Sequence, residues 1–171
     1  MTPKQIIDQI TDKFGDAISE SHDADRHPRL HTTAEHWRSV AEFLRSEEAL
    51  DFDFLKCLSG VDYVADEKLC VVYDLYSTRH DHDIAVKVYV DRGDAVIPSV
   101  MDLWPAANWH EREAYDMVGV TFEGHNDLRR ILLPEDWEGY PLRKDYEFPR
   151  EYHGIPGTYE MDWQQKSHYP N

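Results

Sequence analysis

Apolar residues recur at two different periods along the chain, and the switch between them predicts its elements. Ile6, Ile7, Ile10 and Phe14 share one helical face, with Thr2 as cap, Pro3 in the first turn and Gly15 at the end. A second helix turns Trp37, Val40, Ala41 and Leu44 inward behind a capping box of Thr32 and Glu35, and frays near Glu47. Between the two, residues 21–29 read as part of a short strand pair. Period two then takes over. Residues 52–64 read as a strand broken near Ser59-Gly60, and residues 69–73 are β-branched and aromatic. Ile84, Val86, Val88 and Val90 alternate cleanly with Ala85, Lys87 and Tyr89. The set predicts an α+β fold: an antiparallel sheet, built as a meander, with helices packed on one face.

Residues 96–104 lead into the densest run of charges, aromatics and turn formers, 109–146. The pattern predicts a short helix capped by Asn108, with Glu111 as capping-box partner and Gly119 as its stop. Ala114, Met117 and Val118 form an apolar arc, while Arg112, Glu113 and Asp116 fall on the other side. Glu111 falls inside the arc. An isolated buried charge is very costly, so Glu111 either caps its own helix or pairs with a cation, with Arg129, Arg130 and Arg143 as donors. Turns follow at 122–125 and 136–139. The extended segment 141–146 cannot bury itself and is expected to lie on another surface.

From Phe148 onward no period fits. Pro149, Pro156 and Pro170 interrupt the chain while Tyr152, Tyr159, Trp163 and Tyr169 keep recurring. Disordered tails are poor in aromatics and interface segments are rich in them. The reading is therefore a globular domain over 1–147 and an extended, partner-binding C-terminal arm over 148–171.

A formal charge of −16 over 171 residues argues against nucleic acid or an anionic lipid surface as direct partner. Cys57 and Cys70 are the only cysteines, too few for a four-thiolate iron–sulfur cluster and not a CxxC pair; free buried thiols are the expectation. No apolar run has the length of a membrane span, and the first residues resemble neither a signal nor a transit peptide. His22, His27, His31 and His36 follow no metal-ligand spacing, and His80 to Asp83 read as a solvated loop or partner contact. His110-Glu111 opens like the HExxH zinc helix, but Ala114 stands where the second histidine belongs. No metal or catalytic residue is assigned. A stand-alone hydrolase using Glu111, Glu113 and His125 is the contrary hypothesis, and it requires a pocket that unites them.

The central stretch resembles the thirty-kilodalton subunit, or C subunit, of proton-pumping NADH–quinone oxidoreductase, respiratory complex I. The resemblance is carried by Glu111-Arg112-Glu113, Asp116, Gly119, Phe122, Gly124-His125 and Leu128. It continues through Arg130-Ile131-Leu132, Asp136-Trp137, Gly139 and residues 141–146. Asn126 departs from the family, which is expected to place proline after the histidine.

The resemblance implies a non-catalytic subunit of the peripheral arm, docked on the forty-nine-kilodalton-type subunit (the D subunit) beside the iron–sulfur subunits. It implies that NADH, FMN, iron–sulfur clusters and quinone are held by those partners, that this chain binds no cofactor, and that alone it has no turnover. It places the chain on the cytoplasmic face of a bacterial inner membrane, peripheral through its partners. Related chains occur in membrane-bound hydrogenases and in dehydrogenases fed by other donors. Within this picture Glu111 and Arg130 are expected to form an ion pair, internal or across subunits, and His125 to hold its turn. Asp136, Trp137, Leu142, Arg143, Lys144, Asp145 and Tyr146 are expected as interface anchors. Arg112, Glu113 and Asp116 belong to the same surface, and Tyr152, Tyr159 and Trp163 to the arm.

Overall fold

A computed structural model describes residues 1–24 and 27–156. Helix α1 (Pro3–Phe14) opens with a reciprocal capping box: the Thr2 hydroxyl accepts from Gln5 N–H and the Gln5 side chain accepts from Thr2 N–H. Strands β1 (Ile18–His22) and β2 (Arg29–Thr33) pair antiparallel. Helix α2 (Ala34–Ser46) follows directly. Its cap is Thr33, and the expected Thr32–Glu35 box does not form. Thr32 belongs to the strand instead, and its buried hydroxyl donates to Ala17 O at 2.8 Å, tying the entry of β1 to β2.

Strands β3 (Phe54–Tyr63), β4 (Lys68–Ser77) and β5 (His82–Asp91) form the expected meander. The sheet order is β1-β2-β5-β4-β3, and β2 runs parallel to β5. The sheet is mostly antiparallel rather than wholly so, and α2 is the reason. It carries the chain over one face to the far edge, so β3 starts in the direction of β2, and two hairpin reversals return β5 in that same direction beside β2.

β3 also runs unbroken through Ser59 and Gly60, with its one irregularity between Leu55 and Cys57. Glycine serves there to let a helix close in: a Cβ on Gly60 would lie 3.0 Å from Val118 Cγ2 and 3.6 Å from Ala114 Cβ. Trp37, Val40, Leu44, Tyr73, Leu75, Val86 and Val88 are enclosed between sheet and helices. Burying each large apolar side chain contributes about 1.5–3 kcal/mol. Loop 77–83 is not a free tip. His82 Nε2 meets Leu50 O at 2.8 Å and His80 Nε2 meets Glu48 O at 2.9 Å, so both rings pin the connection after α2. Cys57 and Cys70 are free thiols, and burial pushes that of Cys70 up to about 11.

Beyond the main sheet, β6 (Val96–Pro98) pairs parallel with β7 (Thr121–Glu123) on either side of helix α3 (Ala107–Val118). The described part of the arm is not simply extended: β8 (Glu151–Tyr152) turns back on β9 (Ile155–Pro156). Tyr159 and Trp163 lie outside the described residues. Among the described residues, no helix is long and apolar enough to cross a membrane.

Candidate functional site

The site is helix α3 and the segment that wraps it. The helix has no side-chain cap. Asn108 does not serve, because the preceding turn already meets the first amides: those of Ala107 and Asn108 donate to Trp104 O and Pro105 O at 2.8 and 3.3 Å. Trp104 is itself fixed by its indole N–H, which donates to Phe52 O at 2.8 Å.

Glu111 is completely enclosed and, among the described residues, pairs with no arginine or lysine, against both alternatives drawn from the sequence. Its Oε2 accepts from the Ser99 hydroxyl at 2.6 Å and its Oε1 from Val100 N–H at 2.8 Å. Burial raises the carboxyl to about 7, and these two hydrogen bonds offset only part of the rise. The neighbouring segment is gripped from its other side by Arg38, which donates to Ser99 O at 3.0 Å and to both carboxylate oxygens of Asp102.

Arg130 belongs to Asp116, not Glu111. Asp116 and Arg112 are buried despite lying opposite the apolar arc, because the returning chain covers that side of the helix. Burial opposes ionisation of Asp116, but hydrogen bonds from Arg130 and from the amides of Leu132, Leu133 and Ile131 outweigh it and hold the carboxyl below its usual range. Those amides reach Oδ2 at 2.7–3.0 Å.

The C-terminal carbonyls of α3 are then met one by one. Gly119 N–H serves Ala114 and Tyr115, an Arg130 Nη1–H serves Asp116, Leu142 N–H serves Met117, and Arg143 Nε–H serves Val118. Arg130 also donates to Trp137 O and Gly139 O, both at 3.0 Å. Gly119 adopts φ +80°, and Tyr140 lies so close that a Cβ there would meet its ring at 2.5 Å.

Asp62 makes a third anchor. It is buried on β3, accepts from Arg92 Nε at 2.9 Å and from Lys144 N–H at 2.8 Å, while Asp145 closes on the same guanidinium. Trp137 Nε1–H donates to the Tyr146 hydroxyl at 2.9 Å, and Asp136 takes Tyr152 OH and the His153 ring at 2.7 Å each. His125 Nδ1 accepts from Asp127 N–H at 3.0 Å and its Nε2 lies 3.3 Å from Asn108 O.

The hydrolase arrangement is not present. His125 Nε2 lies 3.9 Å from Glu111 Oε2, but both side chains are sealed from solvent, and Glu113 is exposed. Among the described residues, no substrate-accessible pocket unites the three. Among its exposed residues, many of them charged, the wrapped segment and the start of the arm present four large apolar side chains: Trp109 is 63%, Leu132 61%, Leu142 57% and Phe148 56% exposed. Sequence reasoning missed Asp62, Arg92, Ser99 and Tyr140. Only Asp62 carried a signal, as a charge in register with the inward Leu58 and Gly60.

Comparison with known proteins agrees with this architecture. The family described as respiratory-chain NADH dehydrogenase, 30 kDa subunit, matches residues 30–152. The C subunit of NADH-quinone oxidoreductase from Chloroherpeton thalassium is 51% identical over 88% of the chain, which spans 63% of that relative's length. The subunit of the same name from Chlorobium phaeobacteroides is 49% identical over 89% of the chain and 93% of its own. Among solved structures, a trypsin-resistant fragment of Nqo5 superposes with TM-score 0.62 at 30% identity, covering 75% of this chain and all of the fragment. A chain of the membrane-bound sulfane sulfur reductase, an archaeal respiratory membrane complex, superposes with TM-score 0.70 at 27% identity over 86% of each chain. The wrapped helix and its carboxylate anchors, residues 107–146, fall inside the matched span, and the chain belongs to the 30 kDa subunit family of respiratory-chain NADH dehydrogenase.

Proposed function

We propose that the chain is a non-catalytic subunit of the peripheral arm of proton-pumping NADH–quinone oxidoreductase. In this reading it docks on the forty-nine-kilodalton-type subunit and supports electron transfer from NADH to quinone by holding shape. The observation that carries it is the division of labour within 109–146. The buried carboxylates Glu111 and Asp116 and the half-buried Arg130 are occupied internally, while Trp109, with Arg112 against its ring, Leu132 and Leu142 remain largely exposed. Large exposed apolar side chains on a rigid support suit the centre of a protein interface. Redox centres are assigned to the partners: two free thiols cannot supply a cluster's four, and the raised Cys70 disfavours the thiolate. Attachment to the cytoplasmic face of the membrane would then run through those partners.

A related complex with another electron donor is the second reading, favoured by the likeness to the sulfane sulfur reductase chain. Identities of about half to NADH-quinone oxidoreductase subunits outweigh it.

The test is assembly in a cell whose own copy is deleted. Leu132→Glu and Trp109→Ala should leave the isolated chain folded by circular dichroism. They should nevertheless lower both recovery of the forty-nine-kilodalton-type subunit in pull-down and NADH–quinone activity in membranes. Normal assembly of the double variant would overturn the docking surface. Turnover of NADH or a small ester by the purified chain alone would overturn the non-catalytic reading.

A further inference from the structure

Strands β1 and β2 set Glu20 directly opposite His31, with His22 two residues further along on the same face of β1 as Glu20. Glu20 bridges both rings: one carboxylate oxygen lies 2.6 Å from His22 Nε2 and the other 2.9 Å from His31 Nδ1. One donor atom from each residue lies within 4.8 Å of the other two. His31 is buried, and its second nitrogen, Nε2, is enclosed without a hydrogen-bond partner among the described residues. His22 and Glu20 keep side-chain exposures of 33% and 54%, so the cluster opens to solvent on one side.

We propose that Glu20, His22 and His31 bind a divalent transition-metal cation of the zinc class, clamping the edge strand β1 to β2. Two imidazoles and one carboxylate are a donor set that suits such ions, and three protein ligands leave a position for water. The cation takes the place of the two bridging protons. No net proton leaves neutral rings: the proton of His22 moves from Nε2 to Nδ1, and that of His31 from Nδ1 to Nε2. Nε2 of His31 has no partner among the described residues, so its change of tautomer breaks no hydrogen bond to them. An ion at this point joins two strands through side chains at an edge where backbone pairing ends on one side. The linear spacing of the histidines concealed the set, since its third donor is a glutamate and His31 reaches it from the neighbouring strand.

The experiment is titration of the tag-free full chain with cobalt(II), followed by visible absorption, and with zinc(II) by calorimetry. One equivalent should bind with a tetrahedral or five-coordinate cobalt spectrum that zinc displaces. His22→Ala and Glu20→Ala, both at solvent-facing positions, should each weaken binding about tenfold or more. His36→Ala, outside the cluster, should bind as the native chain does. Zinc should raise the melting temperature of the native chain and not that of His22→Ala. Absence of stoichiometric binding, binding unchanged in both cluster variants, or equal loss in His36→Ala would overturn the site and leave two ordinary carboxylate–imidazole hydrogen bonds.

Discussion

Arg130 and Asp116 meet twice, through the side chain at 2.7 Å and through the Asp116 carbonyl at 3.0 Å, both from the same guanidinium nitrogen. The aspartate is wholly enclosed and the arginine nearly so. The pair locks the last turn of α3 to the segment that passes over it, and Asp116 Oδ2 gathers the three following amides besides.

Asp116→Asn should therefore cost about 3 kcal/mol or more, because it strands a largely buried guanidinium. Amide hydrogen exchange at Ile131, Leu132 and Leu133 is the sharper readout, and these positions should lose protection before the sheet does. In the native chain the lowered carboxyl contributes stability above its unfolded range near pH 3.8, and that contribution disappears as pH falls through the folded value. Unchanged protection in the asparagine variant would remove this anchor from the account.

Glu111 gives the opposite pH dependence. Its carboxyl titrates near 7 in the fold and near 4.5 when unfolded, so between those values the native state holds the extra proton. Stability from this group is greatest below pH 4.5 and declines by about 3 kcal/mol as pH rises towards and past 7. Glu111→Gln should flatten that part of the curve and match or exceed the native chain at pH 8. Glu111→Ala should destabilise at every pH, since Ser99 and Val100 N–H lose their buried acceptor. Urea midpoints from pH 4.5 to 8 decide it; a native slope retained in the glutamine variant would refute the assignment.

At Gly119 a methyl group meets two penalties together. The left-handed backbone costs alanine about 1–2 kcal/mol, and Tyr140 must also move away. Gly119→Ala should lower the melting temperature by several degrees. Gly93→Ala should cost far less, because a Cβ at Gly93 meets nothing within 4 Å. Equal shifts in the two would refute both the left-handed backbone at Gly119 and the Tyr140 contact.

Asp62→Ala removes the acceptor shared by Arg92 and the Lys144 amide. Trypsin should then cut after Arg143 or Lys144 several times faster than in the native chain, while cleavage elsewhere is unaffected. Mass spectrometry of the first fragments distinguishes local release from general unfolding.

The sequence was informative wherever periodicity alone decides. The faces of α1 and α2, the alternation along β5 and the special character of 109–146 were all legible. Partner choice among buried charges was not. Glu111 stood out as a carboxylate on an apolar arc, yet its acceptor role toward Ser99 and Val100 depends on the segment after β6 being brought alongside by tertiary packing. Arg130 has Glu111 and Asp116 as candidate partners on one short helix, and only the path of the returning chain selects between them. The parallel register of β2 and β5 was equally hidden, since no local pattern records which edge a crossover helix will reach.

That register also sets the order in which the chain can assemble. The hairpins β3–β4 and β4–β5 join neighbours in sequence and can form early, whereas Arg29 must find Ala85 only after the whole of that hairpin unit exists. The N-terminal strands should therefore be the last to join the sheet, and a nascent chain interrupted before residue 85 would present β2 with no edge to join. Synthesis past that point is the moment at which this subunit becomes competent to hold its own N-terminus.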